Sequence, residues 1–134
     1  MNDKFFLDTN VIIYAHTDLD LRKQQIAQQL ISLNETIVST QVLQETANIL
    51  FKKFQFPWSE ILTVLAEASK NNYLYINIFS TIHDACRVAD RYGFSFYDSL
   101  IVATALESGA TVLYSEDLQD GQIIDQVLTI KNPF

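Results

Sequence analysis

Short apolar runs alternate along this chain with segments of helical length, and this alternation restricts the possible folds more than any other feature. The apolar runs predict strands at residues 4–7, 36–38, 73–78, 111–114 and 127–130. Helical periodicity and helix-ending residues predict helices over 18–33, 41–54, 59–69, 81–92 and 98–108. Buried strands joined by such helices pair in parallel through crossover connections. We therefore expect an α/β fold, namely a three-layer α/β/α sandwich around a mostly parallel sheet of about five strands.

Size and composition fit one such domain. The chain has 134 residues, of which 49% are hydrophobic, enough for one sizeable core, so residues 1–134 are interpreted as a single domain. The one cysteine, Cys86, can form neither an internal disulfide nor a cysteine-rich zinc site. The N-terminal residues lack the pattern of a secretory signal, and no apolar run reaches membrane-spanning length. We therefore expect a cytoplasmic protein that does not associate with a membrane.

The charge of the chain is strongly acidic. A formal net charge of −7 and a pI near 4.6 argue against a broad basic surface that grips nucleic-acid phosphates. Such an excess arises either from a solvated surface or from carboxylates gathered where a cation neutralises them. The positions of the acidic residues decide between the two.

Two aspartates stand directly after predicted buried strands. Asp8 follows the first strand, and Asp117 follows the fourth after two further polar residues. In parallel α/β sheets, ligands bind beyond the carboxyl ends of the strands. We therefore expect Asp8 and Asp117 to converge at one edge of the sheet.

Two more acids lie on predicted helices. Asp98 begins a helix that is apolar nearly all round and must therefore be buried. A buried carboxylate without a partner is costly, and the helix N-terminus offsets only part of that cost. Glu45 lies on the polar face of its helix, so it can join Asp98 only if that face lines a groove.

Clustered carboxylates without paired histidine or cysteine ligands indicate a site for a hard divalent cation. Magnesium binds through one or two carboxylates, together with water and substrate phosphates. A cation held in this way can polarise a phosphoryl oxygen and activate water. Chemistry on a phosphodiester follows from such a site.

Four stretches resemble the PIN domain family, and within it the VapC toxins of bacterial toxin–antitoxin pairs. They are Leu-Asp-Thr-Asn-Val at 7–11, Gln-Glu at 44–45, Phe-Tyr-Asp-Ser-Leu-Ile-Val-Ala-Thr-Ala at 96–105 and Val-Leu-Tyr-Ser-Glu-Asp-Leu at 112–118. Their order and spacing match over essentially the whole chain. The resemblance implies an endoribonuclease that depends on Mg²⁺ or Mn²⁺.

The resemblance also assigns roles to individual residues and partners. It implies that Asp8, Glu45, Asp98 and Asp117 are the catalytic and metal-binding acids. Asn10 and Ser115 are polar supports, and Asp120 is a fifth acid beside or in place of Asp117. The partners implied are an RNA substrate, a cognate antitoxin and a second copy of the chain in a homodimer.

Other interpretations remain open from the sequence. Each aspartate alone could be a helix cap or a turn residue. A haloacid-dehalogenase-type phosphatase also places a nucleophilic aspartate after its first strand, but its usual second aspartate is replaced here by Asn10. A catalytically silent module that binds a metal or a partner is a further alternative. The aromatic residues Phe51, Phe54, Phe56 and Trp58 are expected to pack between consecutive helices, with a partner groove as the alternative.

Overall fold

The structure is a computed structural model that describes residues 3–134. Met1 and Asn2, which belong to the N-terminal segment considered above, lie outside the described residues. The strands are β1 (Phe5–Leu7), β2 (Thr36–Ser39), β3 (Tyr73–Tyr75), β4 (Val112–Tyr114), β5 (Ile123–Ile124) and β6 (Leu128–Lys131). The helices are α1 (Thr9–His16), α2 (Leu21–Leu33), α3 (Thr40–Lys52), α4 (Trp58–Asn71), α5 (Phe79–Tyr92) and α6 (Phe96–Glu107).

One sheet contains all six strands in the order β3-β2-β1-β4-β6-β5. The pairs β3–β2, β2–β1, β1–β4 and β4–β6 are parallel. The predicted mostly parallel α/β sandwich is therefore confirmed. The expected number of about five strands omits β5, which pairs antiparallel with β6 at the edge of the sheet. The connecting turn places Asp125 and Gln126 at φ of 50° and 61°, and without a glycine it gives little hairpin signal in the sequence.

The register of the two central strands places the ends of β1 and β4 side by side. Leu7 is paired with Tyr114, and the Asp8 backbone N–H donates a hydrogen bond of 3.0 Å to the Tyr114 carbonyl. The next residues along the two strands, Asp8 and Ser115, are therefore neighbours at the carboxyl edge of the sheet. This register fixes the position of the candidate site.

Side-chain caps explain where several helices begin. Asp20 accepts a hydrogen bond from the backbone N–H of Lys23 and starts α2, while Ser39 accepts from that of Val42 and starts α3. The helix predicted over 18–33 therefore begins later, at Leu21. A separate helix, α1, was not predicted. It starts directly after Asp8, whose side chain caps it.

The main core lies on both faces of the sheet. Phe6, Leu7, Val38 and Leu113 are fully buried, as expected for central parallel strands covered by helices. A second, smaller cluster joins Ile13 to α3 and α4. In residues 3–134, no helix is both long and apolar enough to span a membrane.

Helix α6 is buried along most of its length. Every residue from Ser99 to Ala105 is buried, in agreement with its apolar sequence. The helix begins at Phe96, with Ser95 as its cap, so Asp98 lies in the first turn and not at the start. Its apolar surface fixes the position of that first turn against the sheet.

Candidate metal-binding active site

A cleft of about 260 Å³ lies at the carboxyl ends of β1 and β4. Its lining includes Asp8, Glu45, Asp98 and Asp117. These four acids come from the start of α1, from α3, from α6 and from the loop after β4. Two other cavities are larger, at about 420 and 500 Å³, but the lining of each includes only one carboxylate. The structure thus brings the four predicted acids to one place, and that place is the small cleft.

Asp8 is the most deeply buried acid of the cleft, with 7% of its surface exposed. Its Oδ1 accepts a hydrogen bond of 2.7 Å from the Thr9 backbone N–H, and its Oδ2 accepts one of 2.7 Å from the Ser115 hydroxyl. Burial raises the pKa of Asp8 to about 6, although these two hydrogen bonds oppose the rise. The negative charges of Asp117 and Asp98 raise it further. Asp8 therefore caps α1 and also lines the cleft, so the capping interpretation does not exclude the functional one.

Asn10 and Ser115 hold the loop after β4 against the start of α1. The Ser115 Oγ accepts hydrogen bonds from the backbone N–H groups of Asp117 and Leu118, at 3.1 and 3.4 Å. The Asn10 amide donates to Asp117 Oδ2 at 3.2 Å, and its Oδ1 accepts from the Glu116 backbone N–H at 3.2 Å. Both residues thus contact groups that position Asp117, as polar supports would.

Glu45 is half-buried in the wall of the cleft. Within residues 3–134, its Oε1 is buried and has no hydrogen-bond partner. Burial raises the pKa of Glu45 and the nearby negative charge of Asp8 adds to the rise, while the Gln41 side-chain amide opposes it. A buried carboxylate oxygen without a donor is expensive unless a cation or a proton satisfies it.

A contact between helices explains why the polar face of α3 lines the cleft. The Gln41 side-chain amide donates a hydrogen bond of 3.1 Å to the Tyr97 carbonyl in the first turn of α6. Gln41 and Glu45 lie one helical turn apart on α3. The contact therefore turns the Glu45 side of α3 toward Asp98. The polar face of the helix lines a groove, as it must if Glu45 is to join Asp98.

Asp120 is the one predicted acid that the lining of the cleft does not include. Its Oδ1 accepts a hydrogen bond of 2.9 Å from the Asn132 backbone N–H. The side chain is exposed and fixes the chain near its C-terminal end. The structure therefore gives Asp120 a structural contact and does not group it with Asp117.

Sequence reasoning missed a polar cluster that forms part of the lining of the cleft. Glu116 accepts a hydrogen bond of 2.8 Å from the Tyr14 hydroxyl and forms an ion pair with Lys23. Burial opposes ionisation of Glu116, but the hydrogen bonds from Lys23 and Tyr14 outweigh it and lower its pKa. In the sequence, only its position next to Asp117 indicated that Glu116 lies near the site. Nothing in the sequence indicated this for Lys23 on α2.

The chemistry of the side chains around the cleft fits a hard divalent cation. The acids supply oxygen ligands, and the unpartnered Glu45 Oε1 is an oxygen that a cation can satisfy. Among residues 3–134, no group of three acidic, histidine or cysteine side chains is already gathered at metal-binding distance. Because like charges repel, carboxylates that share a cleft stay apart unless a cation lies between them.

Comparisons with known proteins identify the family and the fold of the chain. The family model for the PIN domain matches residues 5–119, a range that includes Asp8, Glu45, Asp98 and Asp117 and ends before Asp120. No curated protein sequence matches the chain.

Solved structures share the fold at low sequence identity. VapC20 of Mycobacterium tuberculosis, described as a toxin that cleaves the sarcin–ricin loop, is 19% identical with a TM-score of 0.70, covering 84% of this chain and 89% of that one. VapBC2 of Rickettsia felis, bound to a DNA fragment from its promoter, is 16% identical with a TM-score of 0.69, covering 96% and 99%.

A third solved structure, DNA-bound VapBC of Salmonella typhimurium, is 18% identical with a TM-score of 0.69 and covers 98% and 99%. At such identities the likeness shows the shared fold, while the family match extends over most of the sequence. The chain belongs to the PIN domain family, and its fold is that of the VapC-like members.

Proposed function

We propose that this protein is an endoribonuclease that depends on Mg²⁺ or Mn²⁺ and acts as the toxin of a toxin–antitoxin pair. The convergence of Asp8, Glu45, Asp98 and Asp117 on one cleft of a PIN-family chain carries the proposal. Four separate elements supply these acids, and no local structural role requires them to meet. A cation is the group that makes such a convergence favourable.

We assign roles to the acids from the PIN family match and from the contacts that hold them. Asp8, Asp98 and Asp117 hold the cation, with Asp8 fixed by Ser115 and Asp117 fixed by Asn10. Glu45 orients or deprotonates the attacking water, because it reaches the same cleft from a separate helix, α3. The bound cation supplies Lewis-acid polarisation of the phosphoryl oxygen and stabilises the leaving oxygen.

The two alternative functions have less support. The PIN family match favours nuclease chemistry over that of a haloacid-dehalogenase-type phosphatase. Asn10, at the position of the second phosphatase aspartate, donates its hydrogen bond to Asp117 and so belongs to the support of the cleft. A catalytically silent metal-binding module differs from the enzyme only in its activity, so the experiment below separates them.

Exposed apolar side chains support the proposal that the chain binds protein partners. Phe51 and Trp58 stack with ring centroids 4.4 Å apart and remain 44% and 60% exposed. Phe54 and Phe56, by contrast, pack into the smaller core cluster, so the aromatic group divides between core and surface. Exposed apolar surface of this kind is typical of protein interfaces. We assign the stacked pair to the antitoxin-binding surface.

A second apolar surface lies on the segment from β3 into α5. Ile76, Ile78 and Phe79 are 63%, 52% and 78% exposed. We assign this surface to the homodimer interface. Two VapBC complexes among the structural neighbours support an antitoxin partner for this chain.

Cleavage of RNA by the purified protein tests the proposed function. A mixed-sequence single-stranded RNA is incubated with Mg²⁺, with Mn²⁺ or with EDTA, and fragments are separated by size. We expect cleavage only with a divalent cation. The Asp98→Asn variant is expected to lose at least about a hundredfold in rate, while Asp120→Asn, a matched change outside the cleft, retains the wild-type rate.

The outcomes distinguish the candidate functions. Cation-dependent cleavage that survives in Asp98→Asn contradicts the assignment of the site. Binding of Mn²⁺ without cleavage of any RNA indicates the silent module. Hydrolysis of small phosphomonoesters without RNA cleavage indicates the phosphatase.

A further inference from the structure

One face of α3 forms a continuous wall of the cleft. Glu45, Ile49 and Lys53 all line it, and they follow one another at intervals of four residues. At about 1.5 Å per residue, Lys53 lies about 12 Å along the helix axis from Glu45. Lys53, the C-cap of the helix, thus extends this wall beyond the acids and still faces the same cleft.

The charge around the cleft makes Lys53 distinctive. Five of the lining residues are acidic: Asp8, Glu45, Asp98, Glu116 and Asp117. Lys53 is the one cationic residue that lines it within residues 3–134. Lys23, which is nearby, is neutralised by its ion pair with Glu116. Lys53 makes none of the ion pairs found in the described part of the chain.

An ordinary structural role does not account for this placement. A lysine at the C-terminus of a helix interacts favourably with the helix dipole, and Lys53 is the C-cap of α3. Lys52 is the last residue of the same helix and provides the same interaction, but it does not line the cleft. The dipole therefore explains a cation at this end of α3, but not a cation that faces the acids.

A neighbouring aromatic ring restricts the lysine side chain. The Lys53 Nζ lies 5.8 Å from the centroid of the Phe54 ring, and Phe54 also lines the cleft. The exposed ammonium group keeps its hydrogen-bond donors available. An exposed cation at the edge of a cleft is able to contact the backbone phosphate of a single-stranded nucleic acid.

We propose that Lys53 binds a phosphate of the substrate RNA that flanks the cleaved bond, and so determines where the strand lies across the cleft. This inference rests on the proposed ribonuclease activity and adds to it a residue that binds the substrate. The cleaved phosphate lies at the acids, and the strand then follows α3 to the ammonium group. An acidic protein thus binds RNA through a local cation and needs no broad basic surface.

Steady-state cleavage kinetics test the proposal. Wild type, Lys53→Ala, Lys53→Arg and Lys52→Ala are compared on one RNA that the wild type cleaves, between about 50 and 200 mM salt. For Lys53→Ala we expect KM to rise roughly fivefold, the effect of losing one exposed ionic contact, with kcat within about twofold. The plot of log kcat/KM against log salt becomes shallower by about 0.7, the value for one contact to a single strand.

The other two variants separate a phosphate contact from a structural effect. Lys53→Arg keeps the positive charge and restores the wild-type KM and salt slope. Lys52→Ala removes an equal charge from the same helix end and leaves both unchanged. Because Lys53 is exposed, its variants are expected to unfold at the wild-type temperature, and Lys53→Gln provides a second neutral variant that keeps most of the stem.

Failure of this inference can be distinguished from failure of the proposed function. If the wild type cleaves RNA and Lys53→Ala matches Lys52→Ala in KM and salt slope, the phosphate contact is wrong and the ribonuclease assignment stands. If the wild type cleaves no RNA, both are overturned. A fall in kcat alone, with KM and the salt slope unchanged, also contradicts a role in substrate binding.

Discussion

Replacing Asp8 by asparagine is expected to make the metal-free protein more stable at neutral pH. Burial moves the pKa of Asp8 from its ordinary 3.8 to about 6. A difference of about 2 pKa units corresponds to about 3 kcal/mol, at about 1.4 kcal/mol per unit. That is the free energy by which the ionised carboxylate destabilises the folded chain relative to its protonated form. The Asp8→Asn variant removes this charge and keeps the shape of the side chain.

The lost hydrogen bonding reduces the expected gain. Asp8 accepts two hydrogen bonds, from Thr9 and from Ser115, while an amide has a single oxygen to accept them. Losing one of them costs about 1 kcal/mol, which leaves a net gain of about 2 kcal/mol at pH 7.5. This amount is easily measured by urea unfolding in EDTA.

The pH dependence of this gain follows from the direction of the pKa shift. The folded pKa of Asp8 lies above the unfolded pKa, so between about pH 4 and pH 6 the folded state binds more protons and loses stability as the pH rises. The destabilisation is complete above pH 6 and absent below pH 4. The advantage of Asp8→Asn therefore disappears near pH 4, where the lost hydrogen bond makes the variant slightly the weaker.

Two measurements can refute this reasoning. Asp120→Asn, a change at an exposed acid, is the control and should alter the free energy of unfolding by less than about 0.5 kcal/mol at either pH. An Asp8→Asn variant that is less stable than wild type at pH 7.5 in EDTA would falsify the claim that burial of its charge opposes folding. A saturating concentration of the divalent cation should reduce or reverse the difference in stability between Asp8→Asn and wild type. Binding at a concentration of about 100 times Kd stabilises the wild type by about 2.7 kcal/mol.

Two further predictions concern the support of the site and the apolar surface. Ser115→Ala removes the hydroxyl that donates to Asp8 and accepts from the Asp117 and Leu118 N–H groups; the free energy of unfolding should fall by about 1–3 kcal/mol, measured in urea. Unfolding no easier than in wild type contradicts the role of that hydroxyl. Phe79→Glu places a charge on a side chain that is 78% exposed, and if the proposed homodimer forms in the wild type, sedimentation should show a monomer for this variant. A variant that remains dimeric excludes this surface, and Leu33→Glu, at an equally exposed apolar residue outside this surface, should not change the oligomeric state.

The layered α/β fold could be predicted because its signals are local. Continuous apolar runs and helical periodicity are properties of neighbouring residues, and they distinguish buried strands from covering helices without reference to the rest of the chain. The same reasoning placed Asp8 and Asp117 after strands that end at one edge of the sheet. Strand β5 was not predicted because two residues are too few for a pattern and because its turn, at Asp125 and Gln126, has no glycine.

The membership of Glu45 in the cleft was decided by the tertiary structure. On α3 alone it is an ordinary polar-face glutamate, and the contact from Gln41 to Tyr97 turns it toward Asp98. The raised pKa of Asp8 likewise depends on burial and on charges that lie about 90 and more residues away in sequence. No pattern in the sequence predicts the ion pair between Lys23 and Glu116. Within residues 3–134, this pair leaves Lys53 as the cation of the cleft that has no ion-pair partner.

The sequence by itself thus determined the layers and the edge of the sheet where acids collect, because strand burial and helix periodicity are written in neighbouring residues. The tertiary structure decided which charges face one another across the cleft. That outcome depends on the packing angles of α1, α3 and α6 and on contacts between distant residues, which no local pattern encodes.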